Sequence, residues 1–204
     1  MIPLIDTCYV EHGFKGNILI EVQKKIFKHF LITLEVQSEI ERRIPEALGV
    51  LNYSIIHLNK EESGFAQDIV DLAINLFGKD DITPADASLI SVACNRDIPI
   101  YSDNTGIPWF FEEFITKDYK KEPYKSTKNK LKAKIKYTPK IYTSLEIILE
   151  LYKENPDKLS VLANFTAKSD LWFRREDMDN LGIDLIKYEN LVFSIKQNRQ
   201  YSKL

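Results

Sequence analysis

Thr83-Pro84-Ala85-Asp86-Ala87-Ser88-Leu89-Ile90 and the Ile98-Pro99-Ile100-Tyr101-Ser102-Asp103 that follows it decide the fold. The first is a helix start: a threonine to cap it, a proline at the first helical position and an acid at the third. Leu89, Ile90 and Ala93 then recur at helical spacing, and Asp86 shares their stripe at offsets of three, four and seven, so it should point inward with them. The second is a short apolar run closed by an acid, which reads as a buried strand.

Working outward, Ile2-Pro3-Leu4-Ile5-Asp6 repeats the pattern of an apolar strand ending in a carboxylate. Ile18 to Phe27 has a helical stripe, Phe30 to Thr33 reads as the second strand, and Glu35 to Arg43 as a helix with Val36, Ile40 and Ile44 inward. Tyr53 to Leu58 reads as a third strand. Phe65, Ile69, Leu72, Ala73 and Leu76 make an amphipathic helix that Gly78 should stop. Strands alternating with helices predict an α/β fold, a three-layer α/β/α arrangement around a mostly parallel central sheet. Beyond Asp103, Trp109 to Phe114 predicts a short helix, 117–132 an exposed, mobile, lysine-rich loop, Ala133 to Tyr137 a strand, and Leu145 to Tyr152 a helix broken at Asn155-Pro156. From Asp157 the tail holds one helical stretch (Leu159, Leu162, Ala163, Phe165) and mixed elements.

The 204 residues carry a net charge of only −2 with 28% charged side chains, an ordinary globular composition. The charge is unevenly placed. Residues 117–140 hold ten lysines against Asp118 and Glu122, a balance of +8, so the remainder carries −10. That asymmetry suggests a polyanionic partner, and Tyr119, Tyr124 and Tyr137 among the lysines suit a single-stranded nucleic acid. Lysine runs are more often solvated loops, but a polyanion-binding enzyme needs such a surface. No apolar run is long enough to span a bilayer, and Asp6 interrupts the only stretch that could serve as a leader. Cys8 and Cys94 lack metal or redox spacing and read as buried thiols of a reducing, cytoplasmic protein. His12, His29 and His57 have no ligand spacing, and a Gly-rich phosphate loop is absent. Trp109, Phe110 and Phe111 read as core or dimer-interface residues.

Four acids then stand out: Asp6, Glu39, Asp86 and Asp103. Singly, each has an ordinary reading as a cap, a turn residue or an ion-paired glutamate, with Arg42 or Arg43 as partner of Glu39. Jointly they fall where a parallel sheet would gather them at the carboxyl ends of its strands. Carboxylates that close repel by ~4 kcal/mol per pair at an effective dielectric near 20. A shared proton or a hard cation would relieve this, and oxygen-only ligands favour magnesium or manganese over zinc.

The chain resembles the PIN domain family, the PilT N-terminus-like metal-dependent nucleases that include toxin ribonucleases of toxin–antitoxin pairs. Leu4-Ile5-Asp6-Thr7, Val36-Gln37-Ser38-Glu39-Ile40, Ala85-Asp86-Ala87-Ser88-Leu89-Ile90 and Ile100-Tyr101-Ser102-Asp103-Asn104 carry the resemblance. They cover residues 1–115, and the strand and helix at 133–153 would complete the fold. A PIN-like domain is expected over 1–153, with 117–132 as a basic insertion and 154–204 as a C-terminal extension of unassigned role. The resemblance implies that Asp6, Asp86 and Asp103, with Glu39 directly or through water, bind Mg2+ or Mn2+ and hydrolyse RNA by a metal-activated water. Thr7 and Asn104 would support the ligands, Asn104 replacing or assisting Asp103, and Glu35 is a less favoured register for Glu39. Lys120, Lys121, Lys125, Lys128, Lys130 and Lys132 would bind the nucleic acid. A protein antitoxin and a second copy of the chain are the further partners implied. The alternatives are a DNA-acting nuclease of the same chemistry and a catalytically silent PIN-like protein that binds RNA or protein. An aspartyl-phosphate phosphatase ranks low, because position 8 is cysteine where that chemistry wants a second aspartate.

Overall fold

The computed structural model describes residues 2–77 and 82–201. A five-stranded, all-parallel sheet lies at its centre, in the order β3-β2-β1-β4-β5, with β1 at Leu4–Ile5, β2 at Phe30–Ile32, β3 at Tyr53–Ile55, β4 at Ile100–Tyr101 and β5 at Ile141–Tyr142. Helices flank the sheet, giving the α/β class of a three-layer α/β/α fold. Leu4 sits opposite Leu31 on one side and Ile100 on the other. Leu4, Ile5, Phe30, Ile32 and Ile100 are all fully buried, which is why these strands read as continuous apolar runs.

The chain steps outward from β1 to β2 and β3, then crosses back to β4 and β5 on the other side. The order therefore reverses between β1 and β4. That switch point opens a crevice at the carboxyl ends of the two strands, the ends that Asp6 and Ser102 extend. The Asp6 N–H donates to the Tyr101 carbonyl (2.9 Å) and the Ser102 N–H to the Tyr142 carbonyl (2.9 Å).

Contacts divide the chain into two compact units, one of residues 1–9 and 29–142 and one of 10–28 and 143–204. The first holds the sheet together with α3 (Leu34–Arg43), α4 (Pro45–Leu48), α5 (Lys60–Leu72), α6 (Pro84–Arg96), α7 (Gly106–Trp109) and α8 (Tyr124–Lys132). The chain passes between the units within α1 (Thr7–Lys15). The second unit adds α2 (Leu19–Lys25), α9 (Ser144–Leu151), α10 (Lys158–Ser169), α11 (Arg175–Asn180) and α12 (Leu185–Tyr201). Within it α10 packs on α12, and buried Thr166 and Tyr188 share a hydrogen bond of 2.5 Å. A side chain at Gly16 would collide with the Phe165 ring, so only glycine fits there.

Helix α6 is the hub of the first unit. Ala85 through Cys94 are all buried, so the helix is covered on every side. Its small residues let neighbours approach, and its hydroxyls are bonded: Ser88 to Thr33 (2.6 Å) and the Ala85 carbonyl (2.7 Å), Ser91 to the Glu62 carbonyl (2.7 Å). Its C-terminal Arg96 grips Glu62 of α5 through two short bonds of 2.6 and 2.7 Å. Glu62 also closes the capping box of α5 with Asn59. Helix α5 runs on into a π-helical turn over Ala73–Phe77, and Gly78, expected to stop it, lies outside the described residues. A second π-helical turn, Phe110–Phe114, continues α7 and covers the span read as a short helix.

Two expectations are corrected. The lysine-rich stretch contains a helix, α8, where a loop was expected. Residues 124–132 include no glycine or proline, lysine is a good helix former, and Leu131 is fully buried as its anchor. The last strand is Ile141–Tyr142 and not Ala133–Tyr137. Lys134 and Ile135 turn back on the end of α8, while Ile141 pairs with Ile100 and Tyr142 stacks on Tyr101 at 4.8 Å. The alternation of lysines with Ile135 and Tyr137 mimicked a strand, yet Tyr137 remains 48% exposed. Of the two cysteines, Cys94 is buried and Cys8 only partly so. Among the described residues no helix is long and apolar enough to cross a membrane.

Glu62→Ala removes a helix cap and strands the Arg96 guanidinium at once. It should lower stability by about 3 kcal/mol in urea denaturation, and a loss under about 1 kcal/mol would refute this role for the pair.

Candidate functional site

Asp6 follows β1 directly and is 1% exposed. Its Oδ2 accepts a 2.7 Å hydrogen bond from Ser102 Oγ at the end of β4. Asp86, also 1% exposed, sits at the third position of α6. Its Oδ2 accepts from the Thr83 N–H (2.9 Å) and Oγ (3.0 Å), closing the capping box. Its Oδ1 accepts from Asn104 Nδ2 (2.9 Å). The Asn104 side-chain carbonyl is held by the Gly106 N–H (2.7 Å), which turns its amide toward Asp86. The Asn104 N–H in turn donates to Ser102 Oγ (2.9 Å). Asp6, Ser102, Asn104 and Asp86 thus form one hydrogen-bonded chain across the switch point.

Glu39, on the inner part of α3, accepts from Thr7 Oγ1 (3.0 Å) on one oxygen and from Arg43 Nη1 (3.1 Å) on the other. The same guanidinium lies against the Cys8 thiol. Thr7 is fully buried, so its hydroxyl needs this partner.

The electrostatics follow from burial and crowding. Loss of water drives the Asp6 carboxyl up to about 7, and the charges of Asp86 and Glu39 push the same way against the Ser102 and Thr7 bonds that favour the anion. Asp86 rises to about 6, again chiefly through burial, opposed by its Thr83 bonds, with Glu39 adding to the rise. The Cys8 thiol is pushed up to about 12 by burial and by Asp6, so it is no nucleophile at neutral pH.

The structure therefore brings Asp6, Glu39 and Asp86 into one field, with Thr7 and Asn104 bonded to two of them. Asp103 is half-buried, and its charge falls on Tyr9, whose phenol is raised well above its usual range by burial and then by that carboxylate. Among the described residues the buried Tyr9 hydroxyl has no hydrogen-bond partner. Ser102, which joins the two strand ends, was missed in the sequence. Its only signal there is a small hydroxyl residue one place before an acid at a strand terminus. Of the lysines expected to bind nucleic acid, Lys130 is paired with Asp68 (2.9 Å) and the Lys128 ammonium with the Lys117 carbonyl. Lys120, Lys121, Lys125 and Lys132 are exposed.

A cleft of ≈ 730 Å³ is lined by Glu39 but by neither Asp6 nor Asp86. Glu35, Arg42 and Thr83 line it together with the apolar Val70, Ile74 and Ile82.

Among the described residues, no three His, Cys, Asp or Glu side chains form a group that could hold a metal ion. The donor chemistry still fits a hard divalent cation. Mg2+ is commonly held by one or two carboxylates, with water completing its shell, and Asp6 and Asp86 are two buried carboxylates whose ionisation burial opposes. Comparisons with protein families, with curated proteins and with solved structures find no match to this chain.

Because the folded-state value of Asp6 lies near 7 and the ordinary value at 3.8, the folded protein binds this proton more tightly than the unfolded chain. Stability contributed here is present below about pH 4 and is lost as pH rises toward 7. In metal-free buffer, Asp6→Asn should therefore stabilise the protein by roughly 2–4 kcal/mol at pH 8 and by almost nothing at pH 4. Urea titrations at the two pH values check this, and a destabilised variant at pH 8 would contradict it.

Proposed function

We propose that this chain is a divalent-metal-dependent ribonuclease of PIN type, with Mg2+ or Mn2+ held at the crevice between β1 and β4. The observation that carries the reading is the pair of buried carboxylates, Asp6 and Asp86, tied together through Ser102 and Asn104 at the switch point of a parallel sheet. Burying two like charges side by side is costly unless a cation or a proton compensates them. A bound divalent ion would supply an activated water and neutralise charge on the attacked phosphate.

The residues around it have separable tasks. Asp6 and Asp86 serve as ligands. Ser102 and Asn104 would orient the two carboxylates, Ser102 by holding Asp6 Oδ2 and Asn104 by holding Asp86 Oδ1. Thr7 orients Glu39, which, like Asp103, contributes through water. Arg43 holds Glu39 in place until a substrate phosphate competes for the guanidinium. RNA is the proposed substrate on the strength of the family resemblance, and parallel assays on matched RNA and DNA strands separate it from a DNA-acting enzyme.

A second reading has an observation in its favour. Glu39 is already paired with Arg43, and Asp86 already accepts three hydrogen bonds. A PIN-like protein that binds RNA without cutting it would look the same. Calorimetric titration with Mn2+ distinguishes the two, since a silent site takes up no ion.

Purified protein should cut a panel of structured and single-stranded RNAs with Mn2+ or Mg2+ and stop in EDTA. Asp6→Asn and Asp86→Asn should each lower the rate by roughly a hundredfold or more. The expected stability of Asp6→Asn separates lost chemistry from lost folding. Undiminished cleavage by that variant, or cleavage that persists in EDTA, would remove the assignment.

A further inference from the structure

Helix α8 carries Lys125, Lys128, Lys130 and Lys132 and not one acid. Like charges three and four residues apart weaken a helix, so an all-lysine face wants an external counter-charge or pairing with neighbouring elements. The structure sorts the lysines of this segment into two sets. Lys130 and Lys134 both reach Asp68, and Lys136 reaches Glu61 (2.9 Å), so these three fasten the segment to α5. Lys120, Lys121, Lys125 and Lys132 stand exposed; the acids beside them in sequence are Asp118 and Glu122, and Glu122 bonds to Ser126. Within α8, Lys125, Lys128 and Lys132 follow one another at offsets of three and four, and Lys125 and Lys132 lie about 10 Å apart along the axis; Lys120 and Lys121 lie just ahead of the helix.

The aromatic residues beside them are used elsewhere. Tyr119 stacks on Tyr124 at 5.5 Å, and Tyr124 packs on Phe77, which meets Trp109 at 4.9 Å. The Tyr124 hydroxyl is bonded to the Leu76 carbonyl (3.3 Å). These rings seat α8 against the π-helical turns, while Tyr137 beyond the helix stands exposed.

We propose that Lys120, Lys121, Lys125 and Lys132 form a docking stripe for the phosphate backbone of single-stranded RNA. Lys130, Lys134 and Lys136 are structural rivets that take no part in binding. The stripe binds by charge and without sequence preference. The proposal stands on the sorting of the lysines and holds whether or not the acid site cuts RNA.

The test uses the full-length protein in EDTA, so that cleavage cannot interfere, and reads fluorescence anisotropy of labelled 20-nucleotide uridine and adenosine strands. Changing Lys120, Lys121, Lys125 and Lys132 together to Gln should weaken binding by about two orders of magnitude at 50 mM salt and flatten the salt dependence by about 2 to 3 in log–log slope. The melting temperature should stay near that of the wild type. Changing Lys130, Lys134 and Lys136 to Gln should do the reverse, lowering the melting temperature while the affinity stays within about threefold. The proposal fails if the outward variant binds as the wild type does, if the rivet variant loses the affinity instead, or if the two strands differ more than about tenfold in affinity.

Discussion

The site depends on one constraint: two carboxylates taken out of water beside each other. Asp6 is placed there by the end of β1 and Asp86 by the first turn of α6, the helix about which the first unit packs. Neither can retreat to solvent without dismantling its element. The fold answers the repulsion locally, with hydroxyl, amide and backbone donors aimed at both anions, and part of it remains, which is why both carboxyls sit well above their ordinary range. Raised values of this kind cluster where chemistry is done, and here they fall at the switch point of the sheet, where parallel sheets place their functional crevices.

Asp86 shows how a structural and a chemical task share one side chain. One oxygen closes the cap of α6 and the other faces the neighbouring strand end through Asn104. A cap can be had from any exposed acid at that position, so burial on the Leu89 and Ile90 side of the helix is what the capping task leaves unexplained. Thr7, Ser102 and Asn104 play the complementary part. They hold the carboxylates by short hydrogen bonds and carry no charge of their own, so the net negative field survives. Arg43 opposes it on the Glu39 side.

Much of this was legible in the sequence because local chemistry agreed with tertiary placement. The Thr83-Pro84-Ala85-Asp86 helix start and the strands ending at Asp6 and near Ser102 lie where their residues indicate. Ser102 was not legible, since a serine acquires its role from Asp6 lying 96 positions away and brought near only by pairing of β1 with β4. Helix α8 was hidden by its charge: lysine is as compatible with a helix as with a loop, and the deciding facts were Leu131 underneath and Asp68 across from it. Residues 133–137 misled in the opposite sense, because an alternation of apolar and polar side chains marks a strand only when a sheet edge is free to accept it. The segment 10–28 belongs with the C-terminal part of the chain, a pairing that no local pattern announces.

The most direct measurement is a crystal of the wild-type protein soaked in manganese and examined for anomalous scattering. The account predicts a peak within bonding distance of one carboxylate oxygen from each of Asp6 and Asp86, lost in Asp6→Asn. A map with no peak there at millimolar manganese and pH 8, or with the ion bound elsewhere, would contradict it.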